Sequence, residues 1–214
     1  MMIAEEQQKL FAELKKKDSA TIEDGIPNES EYTSARYRIM YVLKEVNGGS
    51  NWSLCKFLQQ GGRPQTWDNI ARWTEGIFKL PVEIPWEQLK SNCSQRRRIM
   101  LPKICAINLK KTSGKNTSNY KEIADAAKKN APILVQQLEL YSPDIIICCG
   151  TATPFITACF PNTTIEWNMT TRGIKYFTTD EVIVVDFSHP EARVKDCYLY
   201  YSLLDAMKEI LKSK

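Results

Sequence analysis

Four short, mostly apolar runs punctuate the chain at residues 38–43, 104–108, 145–149 and 182–187, each bounded by polar or turn-forming residues. Runs of this length, rich in β-branched side chains, predict buried strands, because a strand covered on both faces loses its polar alternation. Between them the apolar positions fall at helical spacing. Residues 4–17 place Leu10, Phe11 and Leu14 on one stripe, and residues 66–78 do the same with Trp67, Ile70, Trp73 and Ile77. Residues 85–100 begin with Pro85, whose missing N–H suits a helix start. Residues 119–141 are helical in pattern but interrupted by Pro132, which predicts two helices or a kink. Residues 195–214 form a terminal amphipathic helix through Leu199, Leu203, Leu204, Met207 and Leu211. Residues 18–31, with Gly25, Pro27 and Asn28, read as a linker or loop. Residues 165–168 and 174–179, separated by Arg172-Gly173, read as a small hairpin leading into the last strand.

Strands alternating with helices imply βαβ units. The expected fold is α/β, a three-layer α/β/α sandwich around a mainly parallel four-stranded sheet. One domain over residues 1–214 accommodates it, with residues 1–33 as a helix and linker packed on or flanking it. No internal repeat or low-complexity tract interrupts the pattern.

Composition narrows the function classes. Twenty-nine basic against 25 acidic residues give a net charge of +4, compatible with nucleic acid but not demanding it. The seven cysteines contain no CxxC pair, and Cys148 and Cys149 lie inside an apolar run, so they read as core thiols in a reducing compartment. The N-terminus lacks a basic-then-apolar leader, and no apolar run approaches the ~20 residues that a membrane span needs. A cytoplasmic protein without a membrane partner is expected. No GxxxxGK or GxGxxG follows any strand, which argues against an ATPase or a dinucleotide enzyme. No metal ligands fall at recognisable spacing, so neither a metal nor another cofactor is expected.

Candidate chemistry gathers in three loops that leave strand ends, where open α/β sheets bind ligands. The first is Lys44-Glu45-Val46-Asn47-Gly48-Gly49, with a carboxylate and two glycines that permit close backbone approach. The second starts at Asn108, whose amide offers a donor and an acceptor suited to a base edge, and continues through Lys110, Lys111 and Lys115. The third is Ser188-His189-Pro190, which holds the only histidine. Each also reads as ordinary turn residues or a solvated basic loop.

This arrangement resembles the uracil-DNA glycosylase superfamily over roughly residues 37 to 205. Members carry a motif such as GQDPY, GEAPG or GINPG after the first strand, where this chain has Lys44-Glu45-Val46-Asn47-Gly48. They carry HPS and apolar residues after the last, where this chain has His189-Pro190-Glu191. Asn108 matches the strand-end asparagine of several branches, and Asn108 with Lys111 matches the Asn-x-x-Lys of one. Residues 138–144, running into the third strand, are also similar to the family. Asn47 stands for the motif proline, Lys44 for its leading glycine, and Glu191 for the serine; the leucine wedge is missing. No cysteine precedes Cys55, so the iron–sulfur cluster of one branch is not expected.

The resemblance implies a monofunctional DNA glycosylase, which flips a base out of DNA and hydrolyses its N-glycosidic bond. Glu45 and His189 are then the catalytic candidates. Asn108, Gly48, Asn47 and Trp52 are the candidates for base binding, and Lys110, Lys111, Lys115 and Arg193 for DNA. Gly48 leaves room beside C5, so the expected target is uracil or a C5-modified pyrimidine such as hydroxymethylated or glucosylated cytosine of phage DNA, with phage defence the implied setting. DNA is the expected partner, with no obligatory protein partner. Trp52 either stacks on the base or caps the following helix. Arg96, Arg97 and Arg98 either face phosphate or form a solvated helix end. A catalytically silent nucleic-acid binder and a nucleoside hydrolase remain alternatives.

Overall fold

The computed structural model describes residues 2–46, 52–114, 118–179 and 181–212. Its centre is a sheet of β1 (Ile39–Leu43), β2 (Ile104–Asn108), β3 (Ile145–Cys149), β4 (Asn168–Met169), β5 (Lys175–Thr178) and β6 (Ile183–Phe187) in the order β2-β1-β3-β6-β5-β4. The first four in that order pair in parallel, while β5 and β4 add antiparallel pairs at the β6 edge. The sheet is therefore mainly parallel, as expected, but has six strands where the sequence pattern predicts four. The additional pair comes from the anticipated hairpin, which does more than lead into the last strand. β5 returns directly onto β6, and a short connection can join only antiparallel neighbours. At the tip, Gly173 has φ +82° and its N–H donates to the carbonyl of Thr170.

β1, β2 and β3 are buried along their length and β6 at every position but Asp186, which explains the nearly unbroken apolar runs. Alternate side chains feed two cores. Ile39, Tyr41 and Leu43 meet Leu54, Leu58, Trp67, Ile70, Trp73 and Leu203, carried by α3 (Leu54–Gln59), α4 (Pro64–Lys79) and α10 (Asp196–Ile210). Met40 and Val42 meet Ile123, Leu134 and Phe155, carried by α7 (Tyr120–Lys129), α8 (Ala131–Tyr141) and α9 (Ala152–Cys159). Helices on both faces make the three layers. Pro132 opens α8 instead of kinking a longer helix. The pattern over residues 85–100 resolves into α5 (Trp86–Lys90) and α6 (Cys93–Met100), divided at Asn92, whose φ of +52° breaks the helix.

The segment after α1 (Ile3–Lys17) is not a plain linker. Gly25 exchanges both backbone hydrogen bonds with Ala106 of β2, the Leu54 N–H donates to Glu23 O, and Asn28 caps α2 (Glu29–Thr33) through Glu31 N–H. Asp24 is the reason it holds: its buried carboxylate accepts from the Asn108 N–H at 2.8 Å and from Lys111 Nζ at 2.9 Å.

Chain order places the ligand crevice. The connection from β1 runs outward to β2, and the next crosses back to β3 on the other side of β1. The C-terminal ends of β1 and β3 therefore mark the point where the winding reverses, and a crevice opens outside such a point.

Candidate active site

A cleft of about 540 Å³ lies at the C-terminal end of the sheet, lined from the ends of β1, β2 and β6, within the range of small-ligand sites. The loop after β1 supplies Glu45 and Val46, β2 ends in it with Asn108, and the loop after β6 supplies His189 and Glu191. Trp52, Leu54 and Phe57 close one side, with Arg63, Thr66 and Trp67 from the start of α4. Glu45, His189, Asn108 and Trp52, which lie up to 144 residues apart in the chain, thus share one cavity. Gly48, Asn47 and Lys115 lie outside the described residues.

Asn108 is the most informative of these side chains. It is 2% exposed, and among the described residues neither its Oδ1 nor its Nδ2 has a hydrogen-bond partner. Leaving a buried polar group unpaired costs about 1–3 kcal/mol, so native structures rarely keep one without a use. Its backbone, by contrast, is clamped from both sides, by the β1 ladder and by Asp24. A fixed residue on the cleft lining thus keeps a buried donor and acceptor unsatisfied.

Glu45 is held on both oxygens. Lys110 Nζ donates to Oε2 at 2.9 Å and Ser118 Oγ to Oε1 at 2.8 Å, and the side chain is 6% exposed. Across the cleft, the N–H of Glu191 donates to Nδ1 of half-buried His189 at 3.1 Å. Burial first, and then the Lys44 ammonium, push the imidazole below its ordinary pKa of 6.5, while the Glu191 carboxylate pulls the other way. The two loops approach each other over Gly150, where φ is +68° and an added Cβ would meet Lys44 Cε and the His189 nitrogen at ordinary contact distance. Trp52 lines the cleft and packs on Phe57, with ring centroids 5.1 Å apart.

The proposed DNA contacts divide. Lys111 is corrected outright: it is 5% exposed, its ammonium bonded to Asp24 and Gln137, so burial removes it from any phosphate. Lys110 spends its charge on Glu45. Arg193 is exposed in the loop before α10 but does not line the cleft. Arg96 and Arg97 are neither phosphate contacts nor a solvated end. Arg96 ties α6 to Glu75, and Arg97 ties it to Asp68 and the Gly61 carbonyl.

Five contributors escaped the sequence reading. Glu191 accepts from the Thr66 hydroxyl and pairs with Arg63 at 3.2 Å, which puts an acid–base pair on the cleft wall. Its place after His189-Pro190 was a usable signal. Ser118 and Asp24 carried none, since each acts on a residue distant in the chain. Among the described residues, no three His, Cys, Asp or Glu side chains converge where a metal could sit. No described helix is long and apolar enough to cross a membrane. No protein-family model matches the chain, and the search of curated proteins found no match.

Proposed function

We propose that the cleft binds a nucleobase and that the protein is a monofunctional glycosylase that hydrolyses the N-glycosidic bond of a base flipped out of DNA. The observation that carries this reading is the unpartnered amide of Asn108 at the floor of a cleft that also holds Glu45 and His189. An amide matches a base edge because both present a donor beside an acceptor. Bond cleavage builds positive charge on the sugar and negative charge on the departing base. Glu45 meets the first and orients the attacking water, while the neutral His189 donates from Nε2 to a base carbonyl. Trp52 offers a stacking face, and the glycines that follow Glu45 in the sequence suit uracil or a C5-modified cytosine. Seven free thiols suit a reducing cytoplasm.

The test is incubation with duplex and single-stranded DNA bearing uracil, thymine mismatches, or plain, hydroxymethylated or glucosylated cytosine, with alkali cleavage reporting abasic sites. Release of one base class is expected; intact strands from every substrate sink the reading. One feature favours a second reading. The Arg63 cation on the cleft wall is paired with Glu191 and so is not free for a phosphate backbone, which suits a nucleoside hydrolase acting on small molecules. Cleavage of free nucleosides but not of DNA selects it.

A further inference from the structure

We propose that the segment following β2 is the holder of Glu45, with Lys110 and Ser118 as positioning residues and Gly114 as the residue that leaves room for the carboxyl group. This rests on the reading of Glu45 as the group that meets the sugar and water. The geometry begins in the backbone. Beyond the paired ends Leu43 and Asn108, the two segments stay joined by backbone bonds: Leu109 N–H donates to Leu43 O, Lys110 N–H to Lys44 O, both at 3.0 Å, and Gly114 N–H to Val46 O at 2.7 Å. The Leu43–Asn108 pair and the bonds just beyond it bring Lys110 beside Glu45, and by Val46, which bridges Ser113, the segment after β2 has bulged by two residues. Lys110 holds one carboxylate oxygen and Ser118 holds the other. At Gly114, any Cβ would overlap the Glu45 carboxyl, so only glycine lets the loop close over it. Three contacts from one loop fix the carboxyl group of a residue that lines the cleft. An acid that must meet a developing cation gains from such preorganisation, since it does not have to reorganise during the reaction. Lys110 therefore acts through Glu45 and not on the DNA backbone.

Full-length wild type is compared with Lys110→Met, Lys110→Arg, Ser118→Ala, Glu45→Gln and the double variant Glu45→Gln/Lys110→Met. Lys110→Met should lower kcat at least 10-fold with KM changed less than threefold, and Lys110→Arg should restore most of it. In the Glu45→Gln background, Lys110→Met should cost nothing further, because its only route to the chemistry is already gone. A further loss in the double variant, or a DNA-affinity loss with kcat unchanged, overturns the proposal. A second readout needs no activity: the carboxyl ¹³C resonance of Glu45, assigned by its disappearance in Glu45→Gln. It should move in Lys110→Met and in Ser118→Ala, and an unmoved resonance in both overturns the holder. If wild type releases no base but the resonance moves, the glycosylase reading falls and the holder stands. Ser118→Ala, at a half-buried hydroxyl, keeps the test open if Lys110→Met fails to fold.

Discussion

The backbone N–H of Glu191 donates to Nδ1 of His189, which leaves Nε2 as the protonated nitrogen of the neutral ring. Two residues after the histidine, the chain folds back and fixes the tautomer with no other side chain required. The same residue sends its carboxylate to Arg63 and Thr66, so one position sets both the ring's proton and the wall beside it.

This arrangement predicts a titration. Because the chain has one histidine, its imidazole ¹⁵N signals need no assignment. The midpoint should fall below 6.5 and the neutral form should be the Nε2–H tautomer. Lys44→Met should raise the midpoint by removing a cation, and Glu191→Gln should lower it. Since the folded-state pKa is depressed, the unfolded chain binds the proton more readily below pH 6.5. His189 therefore costs no stability above that pH, and stability falls as pH drops toward the folded value. A midpoint at or above 6.5 would refute the assignment.

Glu45→Gln and His189→Ala should each slow single-turnover base release by ~10²-fold or more while DNA affinity stays nearly intact, since both groups act on charge present only in the transition state. Full activity in both variants would remove them from the mechanism.

Asn108→Leu separates stability from function. Replacing the unpartnered amide with an apolar side chain of similar size should relieve about 1–3 kcal/mol of desolvation cost, and each kcal/mol raises Tm by ~2–4 °C in a chain this long. Base release should be lost in the same variant. A lower Tm, measured calorimetrically, would mean that the amide is satisfied in the folded state.

Lys111→Ala should destabilise the fold by about 3–5 kcal/mol, because it strands the Asp24 carboxylate in the interior. The slope of log K for DNA against log salt should not move, whereas a lost phosphate contact would flatten it by ~0.7–0.9. Denaturant melts and salt titrations check the two halves, and a flattened slope would return Lys111 to the DNA.

Strand positions were legible because β1, β2 and β3 are buried on both faces, and that burial demands continuous apolar runs in the sequence. The helix over residues 152–159 was not anticipated. It is short, and it carries two threonines and a proline among its eight residues, which blurs helical periodicity. The hairpin was visible as Arg172-Gly173 between two extended stretches, but its pairing onto β6, which makes the sheet six strands wide, is a long-range choice.

What the sequence determined by itself was the set of chemical groups and the strand ends that carry them: Glu45 after β1, Asn108 closing β2, His189 after β6. Local pattern suffices there, since each follows an apolar run that must be a strand. What only the tertiary structure decided was the work each charge does. Lys110 and Lys111 are adjacent in the chain and look alike, yet one meets Glu45 and the other is buried on Asp24, 87 residues away. The residue pairing of parallel strands and the threading of residues 18–28 along β2 set those partners. Neither leaves a mark on neighbouring sequence, because register is fixed by contacts between segments far apart in the chain.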